Sequence, residues 1–182
     1  MGEQTEKHAP MRWHVPVAVE DVDETGKRFG FVAGAEIRAA VARIAALRDL
    51  PRLEANFEVT RHGSEGLRVA GLVSATVGQA CVVTLEPLVN EIAEDVDLIF
   101  APRPAAVAER EDGETEVPQE NWDNAEPLVD GLIDLGAIAT EFLILGLDPY
   151  PRKVGAVFQP PQAATPDEGP FAALAALKKA PQ

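Results

Sequence analysis

Nucleophilic catalysis needs a nucleophile, a base within reach and a third group to orient that base. The 182-residue chain holds few side chains for those roles. Its three histidines, His8, His14 and His62, share no motif: the first falls in a polar leader, the second on an alternating apolar segment and the third in a turn. Each is read as a surface histidine. The single cysteine, Cys81, lies in an apolar stretch, where a thiol usually behaves as a small buried hydrophobe. One cysteine excludes an internal disulfide and any zinc site built from cysteine pairs. The glycines of residues 26–34 lack both the first spacing of a dinucleotide fingerprint and the Gly-Lys-Ser/Thr ending of a P-loop, so they read as a turn. Asp130, Asp134 and Glu141 share one face of the helix expected there, but ligands of a hard cation usually converge from several elements. They are read as a solvated face. No catalytic residue, cofactor site or metal site is expected.

Two other groups of residues point to binding. Phe171, Leu174 and Leu177 recur every third residue, Pro170 precedes them at a plausible first helical position, and Lys178 and Lys179 follow. A helix of about ten residues is marginal alone in water, so this one must dock on its own domain or on a partner. In a partner's groove, Phe171, Leu174 and Leu177 would be the anchors, with Lys178 outside. The second group is Lys27, Arg28, Arg38, Arg43, Arg48, Arg52 and Arg61. Gathered on one face away from the acids, these bases would make a direct RNA-binding surface whose affinity falls steeply with salt.

The elements that must position these residues follow from periodicity. Trp13, Val15, Val17 and Val19 alternate with Arg12, His14, Pro16 and Ala18, which predicts a half-buried strand, at an edge because Pro16 lacks a ladder donor. A turn over residues 21–26 leads to a short extended piece at Phe29 and Phe31. From Ala35 the period changes: Ile37, Ala40, Val41, Ile44 and Leu47 predict an amphipathic helix ending near Leu50-Pro51. Leu53, Ala55, Phe57 and Val59 form a strand, a turn follows at residues 62–66, and residues 69–77 make its hairpin partner, with Gly71 as a bulge or close-packing point and Gly78 as the break. Cys81, Val83 and Leu85 continue an apolar parity, and Val96, Leu98 and Phe100 mark a further strand. Residues 102–127 are rich in Pro, Glu, Asp and Ala, with Trp122 the one buriable anchor, and are expected to form a disordered loop. Leu128, Leu132, Leu135, Ile138, Ala139 and Phe142 form the stripe of a second helix, ended by Gly146 and Pro149.

This reads as an α+β fold: an antiparallel sheet of five to six strands, an early amphipathic helix, a second helix after the acidic loop and a Pro-rich tail with a short terminal helix. The expected organisation is a leader at 1–10, one domain at 11–148 containing the loop, and a tail at 149–182. The net charge of −14 is uneven, because residues 102–134 hold ten acids against two bases. Generic nucleic-acid binding rests on Lys and Arg neutralising phosphate, so a grip on RNA by the whole surface is not expected, and no DNA contact either. The start of the chain has no secretory pattern, Glu6 stands where a myristoylation site needs Ser or Thr, and no apolar run approaches the roughly 20 residues that span a bilayer. A cytoplasmic protein without membrane partners is expected.

Three stretches, in order, resemble the YceD family. Cys81-Val82-Val83-Thr84-Leu85-Glu86-Pro87 is similar to its Cys-x-x-Cys-Leu-x-Pro signature, with Thr84 in place of the second cysteine. The stretch from Leu128 through Asp134 and Glu141 to Pro149 and Pro151 is similar to its acidic-apolar helix and short Pro-containing segment. Pro170-Phe171-Ala172-Ala173-Leu174-Ala175-Ala176-Leu177-Lys178 resembles its closing Pro-Phe-x-x-Leu-x-x-Leu-Lys pattern. The resemblance implies a non-enzymatic factor for accumulation of large-subunit ribosomal RNA and assembly of that subunit. Combined with the acidity, it points to a basic ribosomal protein or a large-subunit precursor as the partner, with ribosomal RNA contacted indirectly.

Overall fold

Alternation through the middle of the chain is expressed as three long strands. In the computed structural model, which describes residues 12–63, 65–102 and 125–158, these are β3 (Asp49–His62), β4 (Gly66–Ala80) and β5 (Pro87–Pro102). They follow β1 (Pro16–Ala18), β2 (Lys27–Val32) and α1 (Ala35–Ile44), and precede β6 (Glu126–Leu128), β7 (Leu132–Asp134) and α2 (Leu135–Leu145). A five-stranded sheet runs β2-β3-β4-β5-β6, and β1 pairs with β7 as a separate ribbon. The architecture is α+β. Strands β2 to β5 are antiparallel, whereas β6 lies parallel to the end of β5, with Phe100 opposite Glu126 and Pro102 opposite Leu128. That short pairing is all that covers the outer edge of β5 among the described residues.

One face of the sheet carries the core. Leu53, Ala55, Phe57 and Val59 of β3 and Val69, Val73, Ala75 and Val77 of β4 are buried in one cluster with Val41 of α1 and Leu135, Ile138, Ala139 and Leu143 of α2. Both helices therefore cover the same face. Trp13 meets Phe31 edge-on at 5.0 Å between ring centres, and Phe31 leans on Phe57 at 5.8 Å. Gly71 is a close-packing point: a β-carbon there would run into the Asn56 carbonyl oxygen and the Phe57 ring of β3.

The opposite face is polar and laced with ion pairs. Arg52 donates to Glu54 (2.6 Å) and Glu91 (2.7 Å), Thr76 adds a bond to Glu91, Arg68 grips Asp97 through two bonds of 2.7 Å, and Arg28 reaches Glu58 at 3.3 Å. Such surface pairs add little stability, typically below about 1 kcal/mol each, but they neutralise the arginines locally.

Several boundaries differ from the sequence pattern, each for a local reason. Helix α1 ends at Ile44 rather than near Leu50, because Ala46 turns to φ 53° and Leu47 folds back to donate to the Ala42 carbonyl. Pro51 lies inside β3 and not at a helix end. The β3–β4 register shifts between Asp49 and Arg52, and an irregularity tolerates a residue without an N–H. Gly78 does not break β4, which runs on to Ala80 with Gly78 paired to Val89. Residues 81–86 are a turn rather than a continued strand: Leu85 has φ 61° and is 76% exposed, although Cys81 is fully buried. The edge position expected for Pro16 holds, since among the described residues β1 pairs only with β7.

The largest correction concerns the second helix. Residues 128–134 are not helical. They contain a tight turn in which Asp130 (φ 53°) and Gly131 (φ 70°) both take left-handed conformations and Leu132 N–H donates back to the Val129 carbonyl. Two consecutive positive φ values are the signature of the two-residue hairpin turn that Asp-Gly favours. Only from Leu135 does the chain become helical. Asp130, Asp134 and Glu141 consequently do not share a helix face. The leader at 1–10, residues 103–124 of the acidic stretch with Trp122, and the tail from 159, including Phe171, Leu174, Leu177 and Lys178, lie outside the described residues. Among the described residues, no helix is long and apolar enough to cross a membrane.

Candidate functional site

Asp134 organises the region where β1, β7 and α2 meet. Its Oδ1 accepts from Gly136 N–H (3.0 Å) and Ala137 N–H (3.2 Å), capping the helix, and from Val15 N–H at 2.8 Å. Its Oδ2 lies 2.7 Å from His14 Nδ1. Partial burial pushes this carboxyl's pKa up, but the Val15, His14 and Ala137 donors outweigh it and hold the group below its ordinary range. Leu135 N–H donates to the Val15 carbonyl and Val19 N–H to the Gly131 carbonyl, so the hairpin and the start of α2 are tied to the N-terminal segment at several points.

This arrangement leaves a groove of about 770 Å³ between the hairpin, the outer side of α2 and the end of β5. Leu98 and Phe100 of β5, Ile133 of β7 and Ile138 and Phe142 of α2 give it apolar walls. Its margin carries exposed apolar side chains, Val129 (66% exposed), Leu132 (45%) and Leu145 (68%). The same margin carries Glu126, Asp130 and Glu141, none of them in an ion pair among the described residues. Apolar walls with a few placed polar groups are the usual make-up of a binding groove. Its walls are apolar and its margin is acidic.

The seven bases of residues 27–61 are placed differently. Arg28 and Arg52 lie on the outer sheet face, paired with Glu58 and with Glu54 and Glu91. Arg38, Arg43 and Arg61 donate to the carbonyls of Ala33, Ala39 and Val22. Lys27 sits 5.3 Å above the Phe29 ring, and Arg48 is exposed just before β3. Two bases thus point from the strand face while two others belong to α1 on the opposite side.

Cys81 occupies a second organised point, the turn after β4. Its Sγ accepts from Thr84 N–H and Lys153 N–H, both at 3.4 Å, while Val82 N–H donates to the Pro151 carbonyl and Lys153 Nζ pairs with Glu86 at 3.0 Å. The Lys153 N–H, then the Thr84 hydroxyl and N–H, lower the thiol pKa to about 6 against the opposing effect of burial. Thr84, in the place of a second cysteine, supplies hydrogen bonds to sulfur. Among the described residues, no group of three or more His, Cys, Asp or Glu side chains is placed to hold a metal ion.

Sequence reasoning missed the groove because its walls come from segments more than 100 residues apart, such as His14 and Asp134. The signal within reach was Asp130-Gly131 between apolar residues, a hairpin pattern that the helical spacing of the leucines concealed.

The architecture is thus an α+β sheet covered on one face by helices, polar and ion-paired on the other, with an acid-rimmed apolar groove beside the last helix. The chain matches over residues 69–178 the family model described as Large ribosomal RNA subunit accumulation protein YceD, and it belongs to that family. The match runs from β4 through the groove to Lys178. No curated protein and no solved structure matches the chain.

Proposed function

We propose that the protein is a non-enzymatic cytoplasmic factor in biogenesis of the large ribosomal subunit. In this reading it supports accumulation of large-subunit RNA by holding a basic ribosomal protein, alone or on a precursor particle. The observation that carries the choice of partner is the groove, where apolar walls meet Glu126, Asp130 and Glu141 without paired cations. Bare RNA would meet these carboxylates as repulsion, whereas a basic amphipathic segment gains both apolar burial and charge complementarity, which chiefly speeds and steers encounter. The scattered and largely engaged bases of residues 27–61 support the same preference.

The test is affinity purification of the full chain from cells, followed by titration of the purified chain with the basic large-subunit proteins recovered and, separately, with ribosomal RNA fragments. Binding to one basic protein, weakened by Glu126→Lys and Glu141→Lys together, is the expected result. Tight RNA binding that is indifferent to that double reversal and falls steeply with salt would replace this reading with direct RNA recognition.

A further inference from the structure

The chain itself holds a segment with chemistry complementary to the groove. Residues 169–182 contain two lysines and no acid, and they place Phe171, Leu174 and Leu177 at a spacing of three ahead of Lys178 and Lys179. We infer that this tail segment is the groove's resident occupant, its three apolar side chains against Leu98, Phe100 and Phe142 and its lysines beside the rim carboxylates. It thereby competes with the external partner for the same surface, and this competition rests on the reading of the groove as the partner site.

Reach permits it. Lys153 is pinned beside Glu86 and Cys81 at the β4–β5 turn. From Pro87 at that end, Leu98 is about 37 Å along β5 at about 3.4 Å per residue. The chain turns back at Lys153, whose carbonyl accepts from Ala156 N–H, and the 15 residues from Ala156 to Phe171 extend to about 50 Å at most, so the tail still reaches the groove. Charge agrees as well: Glu126, Asp130 and Glu141 have no cation beside them among the described residues, and the tail brings two. The family model's match spans the groove's β5, β7 and α2 walls and the tail segment as far as Lys178. Self-occupancy has a definite consequence for affinity. A groove filled by its own tail nine-tenths of the time binds an outside ligand about tenfold more weakly.

The experiment compares amide NMR spectra of the full chain with those of a chain stopped after Glu168, then titrates the shortened chain with a synthetic 169–182 peptide. Shift differences between the two chains are expected to cluster at Val129, Leu132 and Leu145. The peptide is expected to restore the full-length shifts, and Leu145→Asp, at an exposed position, to weaken it about tenfold or more. Coincident groove signals in the two chains, or a peptide that perturbs another surface, would overturn the inference. So would full-length shifts that vanish on dilution, because a second copy would then supply the tail. The peptide titration needs no ribosomal component, so a groove that takes the tail but no basic ribosomal protein refutes the functional reading and leaves tail docking standing. Where both bind, removing the tail is expected to tighten partner binding severalfold, and unchanged affinity refutes the competition.

Discussion

Replacing Asp134 by alanine removes one acceptor from three elements at once, and the loss can be apportioned. The helix cap provided to Gly136 and Ala137 is worth about 1 kcal/mol. The half-buried Val15 N–H, left without its acceptor, adds about 1–3 kcal/mol. The His14 contact contributes least, because the imidazole is 67% exposed and exposed ion pairs are worth well under about 1 kcal/mol. The total is about 2–4 kcal/mol, and at about 3 °C per kcal/mol for a domain of this size the melting temperature should fall by about 6–12 °C. The Asp134→Asn variant keeps an oxygen at the cap and should lose less than half as much. The charge is tested by pH. A carboxyl whose folded pKa is depressed contributes stability that is present above its unfolded value, near 4, and is lost as pH falls through the folded value. The advantage of the parent over Asp134→Asn should therefore shrink as pH falls below about 4. Calorimetry across that range measures both. A loss under about 2 °C for Asp134→Ala, or an equal loss for His14→Ala, refutes the assignment of Asp134 as the organiser.

Other consequences concern backbone geometry and sulfur. Gly71→Ala forces a β-carbon against the Asn56 carbonyl and the Phe57 ring and should cost about 1–3 kcal/mol. That would appear as a lower urea midpoint at unchanged slope, and an unchanged midpoint counts against close packing there. Gly131→Val puts a branched side chain at φ 70° and should destabilise by about 1–2 kcal/mol. Its amide perturbations should centre on β6 and β7, not on β3. The Cys81 thiol, lowered to about 6 by N–H donors, should show its thiolate absorbance rising through that pH. Its depressed pKa makes stability relative to Cys81→Ala increase from about pH 6 to about pH 8.5 and vanish below. A thiolate that titrates at 8 or above removes the proposed hydrogen bonding from Lys153 and Thr84.

The three long strands were legible because each is buried on one face only. Leu53, Ala55, Phe57 and Val59 declare their side of β3 without any knowledge of neighbours, and the early helix declared its first two turns in the same way. What misled was spacing shared by two structures. Leu128, Leu132 and Leu135 fit a helical stripe at intervals of four and three, yet the same residues straddle an Asp-Gly turn and start a capped helix, and tertiary pairing with β1 and β5 decides between the two. Pro51 and Gly78 read as stops in one dimension, whereas the sheet absorbs both, one at a register shift and one beside Val89. The groove was illegible for a different reason. Its walls and rim come from β5, β6, β7 and α2, which are brought together only when the strands pair.

The nearly uncovered outer edge of β5 also bears on the chain's behaviour in concentrated solution. A strand of 16 residues with β6 along only its last three is the kind of template on which another molecule could add a strand. Pro87 and Pro102 blunt its two ends, and Glu94 and Asp95, in no ion pair among the described residues, line its middle. Two copies approaching edge to edge would have to bring these carboxylates together, so the acidity along β5 guards against aggregation.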